Sequence, residues 1–313
     1  MKPHRLFTVE EILSRIESVV VDLEVHGETH QTGIAQTSFS YSEHPYSIVL
    51  ATNQGWLKQA AENDAVSLIL TTPRIAKLKS DDFAKPLLLC QNPDEVFYFL
   101  HNQALHAESY EITPDTYSAE HHIDHTATIH PSVVMEGPII IGEEVTIGPF
   151  CYLKGPIEIG AGTIIQEGCS IGNEGLFTKL VEGHHQHIRH YGGVVIGPRC
   201  QIHSGARIAR SAIFQSATRL EEGVSVGVES VVGHDCHVER NSIIASTAAI
   251  LGRAHVEASC WIGAGSLISN SCRIGHHSSV KVGAVVIQNL EPNSTVSGNF
   301  AREHHRTLRD LIK

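Results

Sequence analysis

His234, in the string Val232-Gly-His-Asp-Cys-His-Val, is the residue best suited to chemistry. An imidazole with an ordinary pKa of about 6.5 can take a proton from a nucleophile at neutral pH. Glu229 and Asp235 are the carboxylates nearest in sequence and are candidates to orient it. A second concentration of reactive groups lies between Gly172 and Gly193, with Glu174, Phe177, His184, His185, His187, Arg189 and His190. A zinc site needs three or four convergent ligands with support behind them. Four histidines in one loop supply atoms without that geometry, so no metal is expected. A solvated loop and contacts to an anionic ligand, with His187, Arg189 and His190 meeting a diphosphate, are the readings left open. With 22 histidines in the chain, being histidine is not itself informative.

What must position these groups is a repeat. An aliphatic residue returns every sixth place from Ile123 to Ile171, and again from Ile196 to Val286, counting Phe214 among its members. Neither the helical period of 3.6 nor the strand period of 2 does this. A fixed short period held so long marks a parallel β-helix whose rungs bury the same inward positions. The fifth place stays small, from Ala127 through Ala212 to Ala284, and six of the seven cysteines stand there. Free cysteine packs as a small hydrophobe, so corner packing explains them better than redox chemistry. His234 holds a third place, expected to point outward near a corner.

The chain has 313 residues and a net charge of −11 with histidine neutral. Such a balance argues against a nucleic-acid partner. No run reaches the roughly 20 apolar residues of a membrane span, and the first residues lack a signal peptide's apolar core, so a cytoplasmic location is expected.

Residues 1–105 carry no hexads. Glu10–Ile16, Gln54–Glu62 and Pro93 to about Ala104 read as helices, and Ser18–Val25, Tyr46–Ala51, Ala65–Leu70 and Pro86–Cys90 as strands. Alternation of this kind makes a small α/β domain. Polar residues 106–122 read as a linker; the helix follows over 123–290, interrupted by the insertion 172–193, and 291–313 form a tail ending in a short helix.

An α/β domain, a linker and then a long hexad region closely resembles UDP-3-O-acylglucosamine N-acyltransferase of lipid A synthesis and related nucleotide-amino-sugar N-acyltransferases. The resemblance implies a left-handed helix with three hexads per coil, so that residues eighteen apart stack. Val232-Gly-His234-Asp-Cys-His-Val matches that family's Ile-Ala-His-Asn-x-x-Ile around its catalytic base. Gly252, eighteen residues on, stands where a backbone N–H holds the oxyanion, or is simply the turn residue of its corner. Trp56, in Asn53-Gln-Gly-Trp56, falls in the uridine-binding region, stacking on the base or packed in the domain core. Glu174 and Phe177 belong to the family's Gly-x-Glu-Gly-Phe-like loop opening. Three departures stand out: the acidic residue seven before the histidine is Gly227, the second active-site histidine aligns with Ser271, and the strand phenylalanine is Ile48.

Val296-Ser-Gly298-Asn-Phe-Ala301 resembles the ending of sugar acyltransferases that use coenzyme A, with Lys281 and Arg302 as candidates for its phosphates. The resemblance therefore implies an N-acyltransferase moving an acyl group from acyl-CoA to the amine of a nucleotide-linked amino sugar for surface polysaccharide. It implies a homotrimer and no tightly bound cofactor. The lipid A enzyme itself, using acyl carrier protein, and an inactive sugar-nucleotide-binding scaffold are the alternatives.

Overall fold

The fold is that of a computed structural model, which describes every residue except 1, 21, 31, 81–82, 112–120, 182 and 299–313. The chain divides into two compact units. One gathers residues 2–111 with 174–192 and 211–216; the other gathers 121–173, 193–210 and 217–298.

The second unit is a left-handed parallel β-helix. Short strands stack in three parallel sheets of nine, eight and eight. One column of first-place residues runs Ile141, Ile159, Ile196, Leu220, Val238, Val256, Ile274, each registered on the next. All seven are at most 2% exposed, and burying each aliphatic side chain is worth roughly 1.5–3 kcal/mol. The core is a stack of such rows. Between strands the chain turns most corners with a positive φ at the fourth place, 60° at Asp235, 64° at Arg253 and 61° at Ser271. That geometry costs a non-glycine residue roughly 1 kcal/mol, so it is the stacked neighbours that impose it. Fifth-place side chains fit inside the corner. Cys236 Sγ donates to Leu251 O at 3.1 Å and Ser230 Oγ to Ala245 O at 2.9 Å. All seven cysteines are free and buried, the six in fifth places as corner packing requires.

Two steps in the column break the spacing of eighteen. Ile196 follows Ile159 by thirty-seven places, and Leu220 follows Ile196 by twenty-four. The excesses of nineteen and six are the segments 174–192 and 211–216, both of which belong to the other unit. The second excursion corrects the sequence reading. Phe214 and Ala212 are not the first and fifth places of a hexad; the true rung reads Ile208-Ala-Arg-Ala217-Thr218-Arg, and Phe214 packs with Ala35 and Tyr110.

The first unit is built on a five-stranded sheet in the order Glu24–His26, Leu87–Leu89, Val66–Thr71, Ser47–Ala51, Gln36–Ser38, parallel except for its first pair. The long strand expected over Ser18–Val25 shrinks to Glu24–His26, because the chain is still turning back on Ile16 at Val19 and Val20. Gln36–Ser38 is a strand that its polar side chains conceal, although all three are buried. Helices Val9–Ile16, Gln54–Glu62 and Pro93–Asn102 appear as expected, the first held by a Thr8–Glu11 capping box. Segment 174–192 is not irregular either: Thr178–Val181 pairs antiparallel with His184–His187. The tail helix expected before Lys313 lies outside the described residues. No helix among the described residues is long and apolar enough to cross a membrane.

Candidate active site

His234 is set at its corner by Asp235. The ring Nδ1 lies 2.7 Å from Asp235 Oδ2, and the Asp235 N–H donates to Thr218 Oγ1 at 2.9 Å, one coil below. Thr218 is completely buried. With Nδ1 facing a carboxylate, the neutral ring carries its proton there and keeps its lone pair on Nε2. Contrary to expectation the ring is not an exposed corner group: only 8% of its side-chain surface is accessible. It lies instead over Gly252. A Cβ added at Gly252 would collide with Nε2, and Cε1 and Cδ2 would be 2.7 and 2.9 Å away. Glycine is required here by close approach of the imidazole.

The Gly252 amide is the second notable group. Its carbonyl accepts from Ser271 N at 3.1 Å, but among the described residues its N–H has no acceptor. At three corners of another column the third-place amide is claimed by a carboxylate. Arg240, Ala258 and His276 donate theirs to Glu221, Glu239 and Glu257 at 3.1, 3.1 and 2.7 Å. At these three corners a third-place N–H binds a carboxylate oxygen.

Of the other residues singled out, Glu229 turns toward Arg207, 3.9 Å away, and follows a strand of a different sheet from His234. Ser271 is exposed and reaches Gly252 only through its backbone. Lys281 is exposed, and Arg302 lies outside the described residues. Cys236, beside the His–Asp pair, has its thiol pushed up to about 12 by burial and is no nucleophile.

Residues 138–173 match the bacterial transferase hexapeptide family, a model of six repeats. No curated protein matches the sequence. Among solved structures, the UDP-N-acetylglucosamine acyltransferase of Francisella novicida is similar with 18% identity over 61% of this chain and 71% of its own, at a TM-score of 0.49. The Campylobacter jejuni enzyme aligns with 22% identity over 55% and 72% at 0.42, and that of Bacteroides fragilis with 19% over 60% and 77% at 0.44.

In the α/β unit that precedes the hexapeptide helix, Trp56 is 41% exposed, near the start of its helix, so the core alternative fails. Ile48 is fully buried. Phe177 is 9% exposed and packs edge-on against Tyr98 at 5.3 Å; it anchors the hairpin and offers no face to a ligand. Glu174 meets His187 Nε2 at 2.5 Å. Burial pushes its carboxyl up, but the His187 hydrogen bond, the neighbouring imidazoles and a backbone N–H outweigh this and hold it below the usual carboxylate range. The Arg189 and His184 side chains are exposed, His190 is 3% exposed. Thr218, His101 and Asn102 were not anticipated. Only Thr218 had a signal, a hydroxyl in a fifth place beside cysteine, serine and alanine.

Proposed function

We propose that the chain is an acyltransferase that moves an acyl group from an acyl thioester, acyl-CoA by preference, to the amine of a nucleotide-linked amino sugar. The observation that carries this reading is an Asp-supported imidazole lying over Gly252, whose N–H has no acceptor among the described residues. The neutral His234 takes the proton from the attacking nitrogen on Nε2 while Asp235 accepts from Nδ1–H and stabilises the imidazolium that forms. The Gly252 N–H donates to the oxygen that turns negative as the thioester carbonyl becomes tetrahedral, and collapse expels the thiolate. Trp56, Glu174, His187 and Arg189 are the groups we assign to the sugar nucleotide, Lys281 and Arg302 to the cofactor's phosphates, and a cytoplasmic homotrimer is the working form.

The test is thiol release from a series of acyl-CoAs, and from acyl carrier protein, with UDP- and dTDP-linked amino sugars. Turnover that falls by about 10²–10⁴ in His234→Ala supports the reading. Tight sugar-nucleotide binding without turnover in the unaltered chain would replace it with a binding scaffold.

A further inference from the structure

The hairpin excursion holds a set of groups that take no part in the proton transfer assigned to His234. Glu174, His187 and His190 each present one ligand-capable atom, all within 4.8 Å of one another. We propose that these three residues bind a divalent ion of the zinc class, one carboxylate oxygen and two ring nitrogens supplying three ligands and water the rest.

The donor set is the first argument. Two imidazoles and a carboxylate suit Zn²⁺ and its first-row neighbours rather than Mg²⁺ or Ca²⁺, which take oxygen ligands. Orientation is the second. His190 Nδ1 lies 2.9 Å from Ile188 O, and a carbonyl can only accept, so Nδ1 bears the proton and Nε2 the lone pair. Histidine ligands typically show this arrangement, the far nitrogen donating to a backbone carbonyl. The rings of His187 and His190 are nearly parallel, 13° apart with centroids 5.8 Å from each other.

Rigidity is the third argument, and it removes the objection that a loop supplies ligands without geometry. Asn102 grips the segment at two points, donating from Nδ2 to His187 O at 2.9 Å and accepting from Arg189 N at Oδ1, 3.1 Å away. His101 accepts from Thr37 Oγ1 at Nδ1, 2.8 Å, and donates from Nε2 to Arg189 O at 2.9 Å. Phe177 and Ile188, buried in the core of the unit, fix the segment on either side of the strand pair. The ligands are thus carried on backbone tied to the helix Pro93–Asn102. Ligand atoms around zinc, each roughly 2.0–2.2 Å from the ion, sit about 3.3–3.6 Å from one another. The three groups would need to adjust by about an ångström, the ion replacing the proton shared by His187 and Glu174 and releasing it to solvent.

The experiment uses the full chain, stripped with chelator and dialysed. Zn²⁺ is titrated calorimetrically, bound metal is counted by mass spectrometry, and Co²⁺ is added as a visible-absorption probe of coordination. The expected result is one tightly held equivalent with a low-coordinate Co²⁺ spectrum. Glu174→Gln, which keeps the side chain's shape, and His187→Ala should each weaken binding at least about tenfold, while His184→Ala and His185→Ala, on the same hairpin, leave it unchanged. Absence of stoichiometric binding, or equal weakening in the His184 and His185 variants, overturns the proposal. Because the readout is metal bound and not acyl transfer, its failure leaves the His234 reading untouched, and the reverse also holds.

Discussion

Two edges of the β-helix are built from the same hexad and end up unlike. Along one, Glu221, Glu239 and Glu257 sit eighteen residues apart, and each caps the third-place amide of the coil's next turn. Each also takes a partner from the neighbouring strand, His237, His255 and Arg273 in order, with the two histidine rings stacked 4.8 Å apart. Along the other edge, the corresponding amide at Gly252 meets no carboxylate among the described residues, and an imidazole lies over the glycine. The same third place of the hexad supplies the amide at each of these corners. What is placed beside that amide decides whether it holds the stack together or is left to bind something else.

The largest expected effects come from exchanging these roles. Gly252→Ala forces the His234 ring off its position, so thiol release should drop by about 10²-fold or more, the scale of losing a positioned base or oxyanion donor. The melting temperature should stay within a few degrees, because the Cβ meets a side chain rather than a packed strand. Asp235→Asn should cost a comparable factor by allowing the wrong tautomer. If either variant keeps full activity, the two edges are equivalent and the corner has no catalytic meaning.

At the carboxylate edge the dissociation runs the other way. Glu257→Gln should leave turnover within about twofold and lower stability by about 1–3 kcal/mol, the worth of hydrogen bonds to a charged group. Burial pushes the Glu257 carboxyl up, but the His276 amide, Arg273 and the His276 ring pull it down to about 2 from 4.5. A depressed folded-state pKa gives stability that is complete above 4.5 and is lost as pH falls toward 2. The melting difference between Glu257→Gln and the parent should therefore be largest near neutrality and vanish by about pH 2. The α/β unit titrates earlier. Burial against Tyr191 and Phe214 pushes His106 down to about 3 from 6.5, so its contribution begins to fade below 6.5. Following Trp56 fluorescence during acid titration of a Trp261→Phe variant, which removes the tryptophan of the β-helix, should detect loosening before the β-helix unfolds, and His106→Phe should delay it.

Much of the fold is legible in the sequence. The sixfold period is enforced by rows of Ile, Leu and Val that have no other way to be buried, so the β-helix and the address of His234 could be read directly. Two failures share a cause. The 211–216 excursion is six residues long, so Phe214 arrives where an aliphatic residue is due and nothing in the spacing betrays the detour. The partners of the His187 segment, His101 and Asn102, come from eighty or more residues away through contacts that no local pattern encodes. Periodicity reports on neighbours eighteen residues apart and is silent about the rest.

The silent detour also yields the gentlest test. Removing residues 211–216 joins Arg210 to Ala217 and leaves Ile208-Ala-Arg-Ala-Thr-Arg followed by Leu220, a hexad like the others, with Thr218 still in its fifth place to receive the Asp235 amide. The β-helix should then close with its column intact, and thiol release with a saturating substrate should change least of all the variants here. What is lost is the packing of Phe214 on Tyr110 and His106, so the penalty should appear in the α/β unit as a lower melting step. Removing one residue fewer would shift every inward side chain of the rung, since the corner turn and the buried column leave no slack. A five-residue deletion that folds as well as the six-residue one would mean that the column tolerates slippage, and that the two edges compared above are not held in register by it.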